Sequence, residues 1–185
     1  GLHFIGPKPA HIRLMGDKIE AKRTAQRLGI PVVPGSDDAV GSDVEALAIA
    51  RDIGFPVLVK AAAGGGGRGM KVARTEADLA TALATARAES MAAFGDDTLY
   101  VEKYLAEPRH IEFQILGDGH GGAIHLGERD CSLQRRHQKL LEESPSPSLN
   151  ADQRETLGEI VAGAMRELKY LSAGTVEFLY EGGKF

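Results

Sequence analysis

Apolar and polar positions follow two rhythms along this chain, one near 3.6 residues and one of 2, and the switches between them mark out the elements. Over residues 9–28, Ile12, Met15 and Ile19 recur at helical spacing, with Gly16-Asp17 as a break and restart. Residues 29–35, Gly-Ile-Pro-Val-Val-Pro-Gly, read as a short strand bracketed by turn residues. Ser42 followed by Glu45 predicts a capping box for a helix to about Ile53, with Val44, Leu47 and Ala48 facing inward and Gly54 closing it. The apolar run 56–59 predicts a buried strand leading into Lys60, and the alternating 70–74 predicts a second strand. Thr75 with Asp78 caps a long helix carrying Leu79, Leu83 and Ala86, which ends near residues 95–97; an apolar strand over 98–102 follows.

The second half begins with a strict alternation. Over residues 108–116, Ile111, Phe113 and Ile115 share one face and His110, Glu112 and Gln114 the other, which predicts an antiparallel strand covered on one side. Residues 117–122 read as a hairpin turn and 123–126 as the returning strand. Residues 142–148 read as a polar, proline-bearing loop. Asn150 with Gln153 caps a helix whose stripe is Leu157, Ile160, Val161, Ala164, Met165 and Leu168. In the last strand, residues 175–180, Val176, Phe178 and Tyr180 lie on one side and Glu177 with Leu179 on the other. Helices and antiparallel strands in this order define an α+β chain.

Composition narrows the picture. The 185 residues are 43% hydrophobic, enough for a genuine core. A net charge of −4 argues against a general nucleic-acid surface, so any basic site is local. No apolar run approaches the roughly 18 residues of a membrane span, and the start lacks a signal-peptide layout. A soluble, cytoplasmic protein is expected, or one of the mitochondrial matrix in a eukaryote. The single cysteine, Cys131, forms no internal disulfide, suits a reducing compartment and reads as a small buried hydrophobe. Both ends look cut: no initiator Met is present, and residues 182–185 enter a strand that is not completed, which predicts a fragment.

Glycine is abundant, 23 residues or about 12% against an average near 7%, and it concentrates between the two strands that flank residues 61–69. Side chains this small let a backbone approach a ligand closely, and their N–H groups can cradle phosphate oxygens, with Lys60 and Arg68 supplying charge. Gly64, Gly66 and Gly69 match a dinucleotide fingerprint, but that reading needs a helix to open there and a strand follows. No Gly-Lys-Ser/Thr closes a P-loop. A glycine hairpin closing over nucleotide phosphates fits, against a surface hairpin without a ligand. Lys18, near the start of its helix, reads by itself as a solvated helix lysine. Residues 128–139 hold five basic groups including His137; in a strand His137 and Lys139 share a face and aim at one anion, the alternative being a solvated charged run. Glu177, a carboxylate inside an apolar strand, is a candidate ligand for a hard cation such as Mg²⁺ or an outward-facing strand residue.

Phe4-Ile5-Gly6-Pro7-Lys8, Met15-Gly16-Asp17-Lys18, residues 56–70, Glu102-Lys103-Tyr104-Leu105, Pro108-Arg109-His110, Glu128-Arg129-Asp130-Cys131-Ser132, residues 134–139 and Gly174-Thr175-Val176-Glu177-Phe178 occur in one order. In these motifs the chain resembles, essentially end to end, the central part of biotin carboxylase, an ATP-grasp enzyme. The resemblance implies a connecting helix and strand over 1–35, a small glycine-loop lobe over 36–104 and an incomplete antiparallel-sheet lobe over 105–185. It implies use of ATP with Mg²⁺ or Mn²⁺ to activate bicarbonate, as carboxyphosphate, and to carboxylate biotin. Lys18 and Lys60 would contact the phosphates, and Gly66 with Gly67 would form the closing loop. Glu102, Lys103, Tyr104 and Leu105 would hold the adenine edge, with Met70 and Leu179 sandwiching the ring. His110, Gln134 and His137 would line the ribose and phosphates, Lys139 would contact bicarbonate and Glu177 would bind the metal. The implied partners are a biotin carboxyl carrier domain and a carboxyltransferase component, in a homo-oligomeric parent with no nucleic acid and no membrane. The family's N-terminal domain and the strand carrying its second metal carboxylate are missing, so the isolated chain is expected to be inactive. Another ATP-grasp carboxylate ligase and a non-catalytic nucleotide-binding module are the alternatives.

Overall fold

The computed structural model describes residues 4–16, 18–62, 69–135 and 138–185, and of Lys18 the backbone alone. In chain order the elements are α1 (Pro9–Gly16), α2 (Lys18–Arg27), α3 (Asp43–Ile53), β1 (Val57–Ala61), β2 (Met70–Ala73), α4 (Glu76–Phe94), β3 (Leu99–Lys103), β4 (Arg109–Asp118), β5 (Ala123–Arg135), β6 (Gln138–Glu143), α5 (Ala151–Glu167) and β7 (Leu171–Tyr180). They belong to two compact units, Val33–Ala106 and the pair of segments Gly1–Val32 and Glu107–Phe185.

In the unit Val33–Ala106, β1 lies between β2 and β3 in an antiparallel sheet. Val57, Val59 and Ala61 alternate inward along β1 and pack with Leu79, Leu83 and Ala86 of α4. Thr75 and Asp78 form the expected reciprocal capping box of α4, and Gly95 ends it with φ 71°. The Ser42 hydroxyl accepts from Glu45 N–H at 3.2 Å, but the Glu45 carboxylate accepts from Gly41 N–H at 2.8 Å, so that cap is not the reciprocal box expected. α3 buries Ala46 and Ala50, with Leu47 half-buried, whereas Val44 is 79% exposed and Ala48 is exposed too. The expected stripe is rotated because small alanines, not the larger Val44, let the helix approach the sheet closely.

The strand expected over residues 29–35 does not form. Pro31 and Pro34 have no N–H for a ladder, and one bridge, Gly35 to Glu102, survives. A Cβ on Gly35 would lie 2.7 Å from Glu102 Cα, so this close approach requires glycine.

The other unit is built on an antiparallel sheet in the order β6-β5-β4-β7. Ile111, Phe113 and Ile115 of β4 and Phe178 of β7 face Leu157, Val161, Ala164 and Met165 of α5. In α1 the buried residue is His11, while Ile12 and Met15 are exposed. The His11 ring stacks on Tyr170 and its Nε2 donates to the Leu168 carbonyl at 3.0 Å, which satisfies an end carbonyl of α5.

β5 is far longer than the expected 123–126, and β6 takes in Glu142 and Glu143, expected in a loop. The buried charges of β5 are paired. Glu128 is wholly buried and accepts from Arg154 Nε at 2.7 and 2.8 Å and from Ser146 N–H at 2.9 Å. A bulge at Gly127, φ 84°, shifts the register so that Phe113 opposes Glu128 while Ile115 opposes His125. No helix among the described residues is long and apolar enough to cross a membrane.

Candidate functional site

The face of the larger sheet turned away from α5 carries a set of alternating polar groups. β4 contributes His110, Glu112 and Gln114; Glu177 of β7 opposes Glu112 on one side and Arg129 of β5 on the other. Lys139, near the start of β6, reaches across the sheet to both carboxylates, pairing with Glu112 and donating to Glu177 at 2.8 Å. Arg129 holds Glu112 through Nη2 at 2.5 Å and Nε at 2.6 Å, and its Nη1 donates to Gln114 at 3.0 Å. The two acids differ in setting: the Glu112 side chain is 4% exposed and that of Glu177 52%.

Burial pushes the Glu112 carboxyl up, but Lys139 and Arg129 outweigh it and hold the group below the ordinary range. Burial likewise opposes the charge on Lys139, and the hydrogen bonds to Glu112 and Glu177 overcome it, raising the ammonium above its usual value. Lys139 is therefore a fixed cation rather than a base. Beside it, His110 Nε2 lies 3.5 Å from Glu177, and the Gln134 amide, which also donates to the Cys131 carbonyl, lies 2.6 Å from His110 Nδ1. This places the ring proton of neutral His110 on Nε2, toward Glu177. Cys131 is buried as expected, its thiol pushed up to about 11 by burial and by Glu112, which leaves it protonated and inert.

In the unit Val33–Ala106, Lys60 of β1 pairs with Glu102 of β3 and stands 5.9 Å over the Tyr100 ring. Burial and the Glu102 charge raise the Tyr100 hydroxyl. Met70 opens β2 directly opposite Lys60. The Lys103 ammonium donates to the Gly54 and Phe55 carbonyls at 2.9 and 3.1 Å, and the N–H groups of Lys103 and Tyr104 donate to Pro34 and Pro56. Leu105 follows outside any helix or strand. Leu179 is half-exposed on β7, opposite His110. Gly66, Gly67, His137 and the Lys18 side chain lie outside the described residues.

Thus the structure joins Lys139, Glu177, His110 and Gln134 on one sheet face, and Lys60, Met70 and Glu102 on another sheet. Sequence reasoning passed over Glu112 and Arg129. The available signal for Glu112 is the one that marks Glu177, a carboxylate between strand hydrophobes whose charge demands a partner. Arg129, opposite it, was hidden in the basic run. Glu177 is an accessible oxygen donor of the kind a hard divalent cation takes, and a cation there would displace or share the Lys139 ammonium that it now holds.

The fold is that of an α+β ATP-grasp protein, as the solved neighbours establish. The biotin carboxylase domain of Hydrogenobacter thermophilus 2-oxoglutarate carboxylase, a dimer in complex with MgADP, ADP and bicarbonate, superposes with a TM-score of 0.90 at 50% identity, over 100% of this chain and 41% of that one. Biotin carboxylase from Campylobacter jejuni, as a β,γ-ATP complex, gives 0.89 at 52% identity, over 98% of this chain and 41% of its own. The chain belongs to the family of carbamoyl-phosphate synthase L chain ATP-binding domains, whose pattern it matches over residues 17–185. Among curated relatives, biotin carboxylase of Allochromatium vinosum is 54% identical across 100% of this chain, and the chloroplastic biotin carboxylase of Arabidopsis thaliana 52%. The chain spans 41% of the first and 35% of the second.

Proposed function

We propose that this chain is the ATP-binding portion of a biotin carboxylase, in which ATP drives the transfer of a carboxyl group from bicarbonate to biotin on a carrier domain. The observation that carries the reading is the single ammonium of Lys139 suspended between a buried and an exposed carboxylate. A charge fixed in this way can attract and orient a small anion such as bicarbonate. Buried Glu112, clamped by Arg129, sets where Lys139 points, while Glu177 is accessible to a cation. A divalent ion there would supply electrostatic neutralisation of the nucleotide phosphates. His110 and Gln134 hold one another beside it and would line the nucleotide, with Leu179 next to them on β7.

On the other sheet, Lys60 would meet a phosphate with the ammonium it now shares with Glu102, and Lys18, Gly66, Gly67 and His137 keep their expected phosphate-side roles. Met70 and the segment Glu102, Lys103, Tyr104 and Leu105 would frame the adenine. Because Lys103 and Tyr104 have committed their N–H groups, recognition by that segment falls to its carbonyls and to Leu105. A carboxyltransferase component and a second copy of the parent are the further partners this reading implies, in the cytoplasm or in an organelle. The test is ADP formation by the parent protein. The reading predicts stimulation by bicarbonate and free biotin together, abolished in Lys139→Gln; ADP formation indifferent to bicarbonate would overturn it and favour another ATP-grasp ligase.

A further inference from the structure

We propose that His125, Glu155 and Glu159 form a second cation site, on the opposite face of the larger sheet, for a divalent transition-metal ion such as Zn²⁺. His125 opposes Ile115 and so faces α5, whereas Glu112 and Glu177 lie on the other side. Glu155 and Glu159 are four residues apart on α5, which places both over the imidazole. One ligand atom from each of the three residues lies within 4.8 Å of the others. One imidazole nitrogen and two carboxylate oxygens suit Zn²⁺, Co²⁺ or Ni²⁺, and three protein ligands leave a position open to water.

The imidazole is held in place rather than free to turn. Its side chain is 13% exposed, it meets Phe113 edge-on with ring centroids 6.2 Å apart, and it lies against Gly158, where a Cβ would come within 2.7 Å of Nε2. Glu159 is oriented too. Its Oε1 points to His125 Nε2 at 3.9 Å, while its Oε2 takes Arg166 Nη1 at 3.2 Å, and Arg166 Nε is anchored on the Ala123 carbonyl at 2.9 Å. Such an outer hydrogen-bonded support is what steadies a ligating carboxylate. Glu155 has no ion-pair partner among the described residues, so two like charges four residues apart stand beside one ring. Coordination through Nε2 moves the ring proton to Nδ1 and gives up the long 3.4 Å contact from Gly127 N–H, a small loss.

The experiment is a Zn²⁺ titration of the purified chain followed by calorimetry, in the natural sequence and in a Glu177→Gln background that removes the accessible carboxylate of the other face. We expect one zinc per chain in both. Glu155→Gln and Glu159→Gln, both exposed and isosteric, should each weaken it at least tenfold. His125→Asn should weaken it more, with far-ultraviolet dichroism unchanged in the glutamine variants. Co²⁺ should broaden the His125 ring resonances and spare those of His11. Absence of zinc binding, an affinity in either glutamine variant unchanged from the natural sequence, or loss of the site in Glu177→Gln would each overturn the proposal.

Discussion

Glu112 and Glu177 oppose one another across β4 and β7 and share one ammonium, that of Lys139. The buried acid anchors it and the exposed acid can release it. Glu112→Gln should therefore leave Lys139 present but poorly aimed. Because small misplacements of a reacting group cost on the order of 10²-fold, bicarbonate-dependent ADP formation by the parent should fall by about that factor. Steady-state kinetics with bicarbonate varied will show it, and parent-like rates would remove Glu112 from any positioning role.

Arg154→Ala should be among the most destabilising single changes. It strands the wholly buried Glu128 carboxylate, and breaking one side of a buried pair costs roughly 3–5 kcal/mol. Urea unfolding measures it. The double variant Glu128→Leu with Arg154→Leu should recover much of the loss, since no charge is then left unpaired.

Acid should unfold the larger sheet's unit early. For Asp130 burial acts upward, but hydrogen bonds from Ser132, Arg109 and Ser146 hold it below the usual carboxylate range, as Lys139 and Arg129 do for Glu112. A lowered folded value means that the unfolded chain binds protons first. The stabilisation is complete above the ordinary carboxylate value of about 4 and is lost as pH falls through that value to the folded ones. Urea midpoints between neutral pH and pH of about 3 should drop steeply in the natural sequence and less steeply in Asp130→Asn.

Two lysines of the smaller sheet should separate cleanly. Lys60→Ala removes an ammonium whose partners among the described residues are carboxylate Glu102 and the Tyr100 face, and ATP affinity should fall by about tenfold or more, as for loss of one charged hydrogen bond. Lys103→Met removes two hydrogen bonds to the end of α3 and should cost about 1–3 kcal/mol of stability with a smaller change in ATP affinity. Calorimetry and thermal unfolding read the two effects.

Periodicity and capping residues carried most of the fold. The caps at Thr75 and Asn150, the alternation of Ile111, Phe113 and Ile115 and the stripe of α5 are local patterns whose physics lies within a few residues. What escaped depended on partners distant in sequence. The length of β5 was hidden in a charged run because Arg154, Glu112 and Arg109, which neutralise its Glu128, Arg129 and Asp130, come from other elements. The bulge at Gly127 moves three residues' faces without leaving any periodic trace. His11 packs inward in place of Ile12 because the carbonyl it satisfies belongs to α5. The candidate site was legible where a motif is contiguous, as at Lys60 and Glu102, and illegible at Glu112 and Arg129, whose meaning lies in strand pairing.

The chain enters the larger sheet's unit with α1 and α2, leaves at Val32 and returns at Glu107. The carbonyl of Leu168 that receives His11, and Glu167 that pairs with Arg27, are thus synthesised long after the helices that need them. On the ribosome the first two helices must wait, their inner faces uncovered, while Val33–Ala106 can already fold as a finished loop pinned at its base by Pro34 with Lys103 and Gly35 with Glu102. That order makes the inserted unit the early step of folding and closure of the discontinuous one the slow step, set by contacts of high sequence separation.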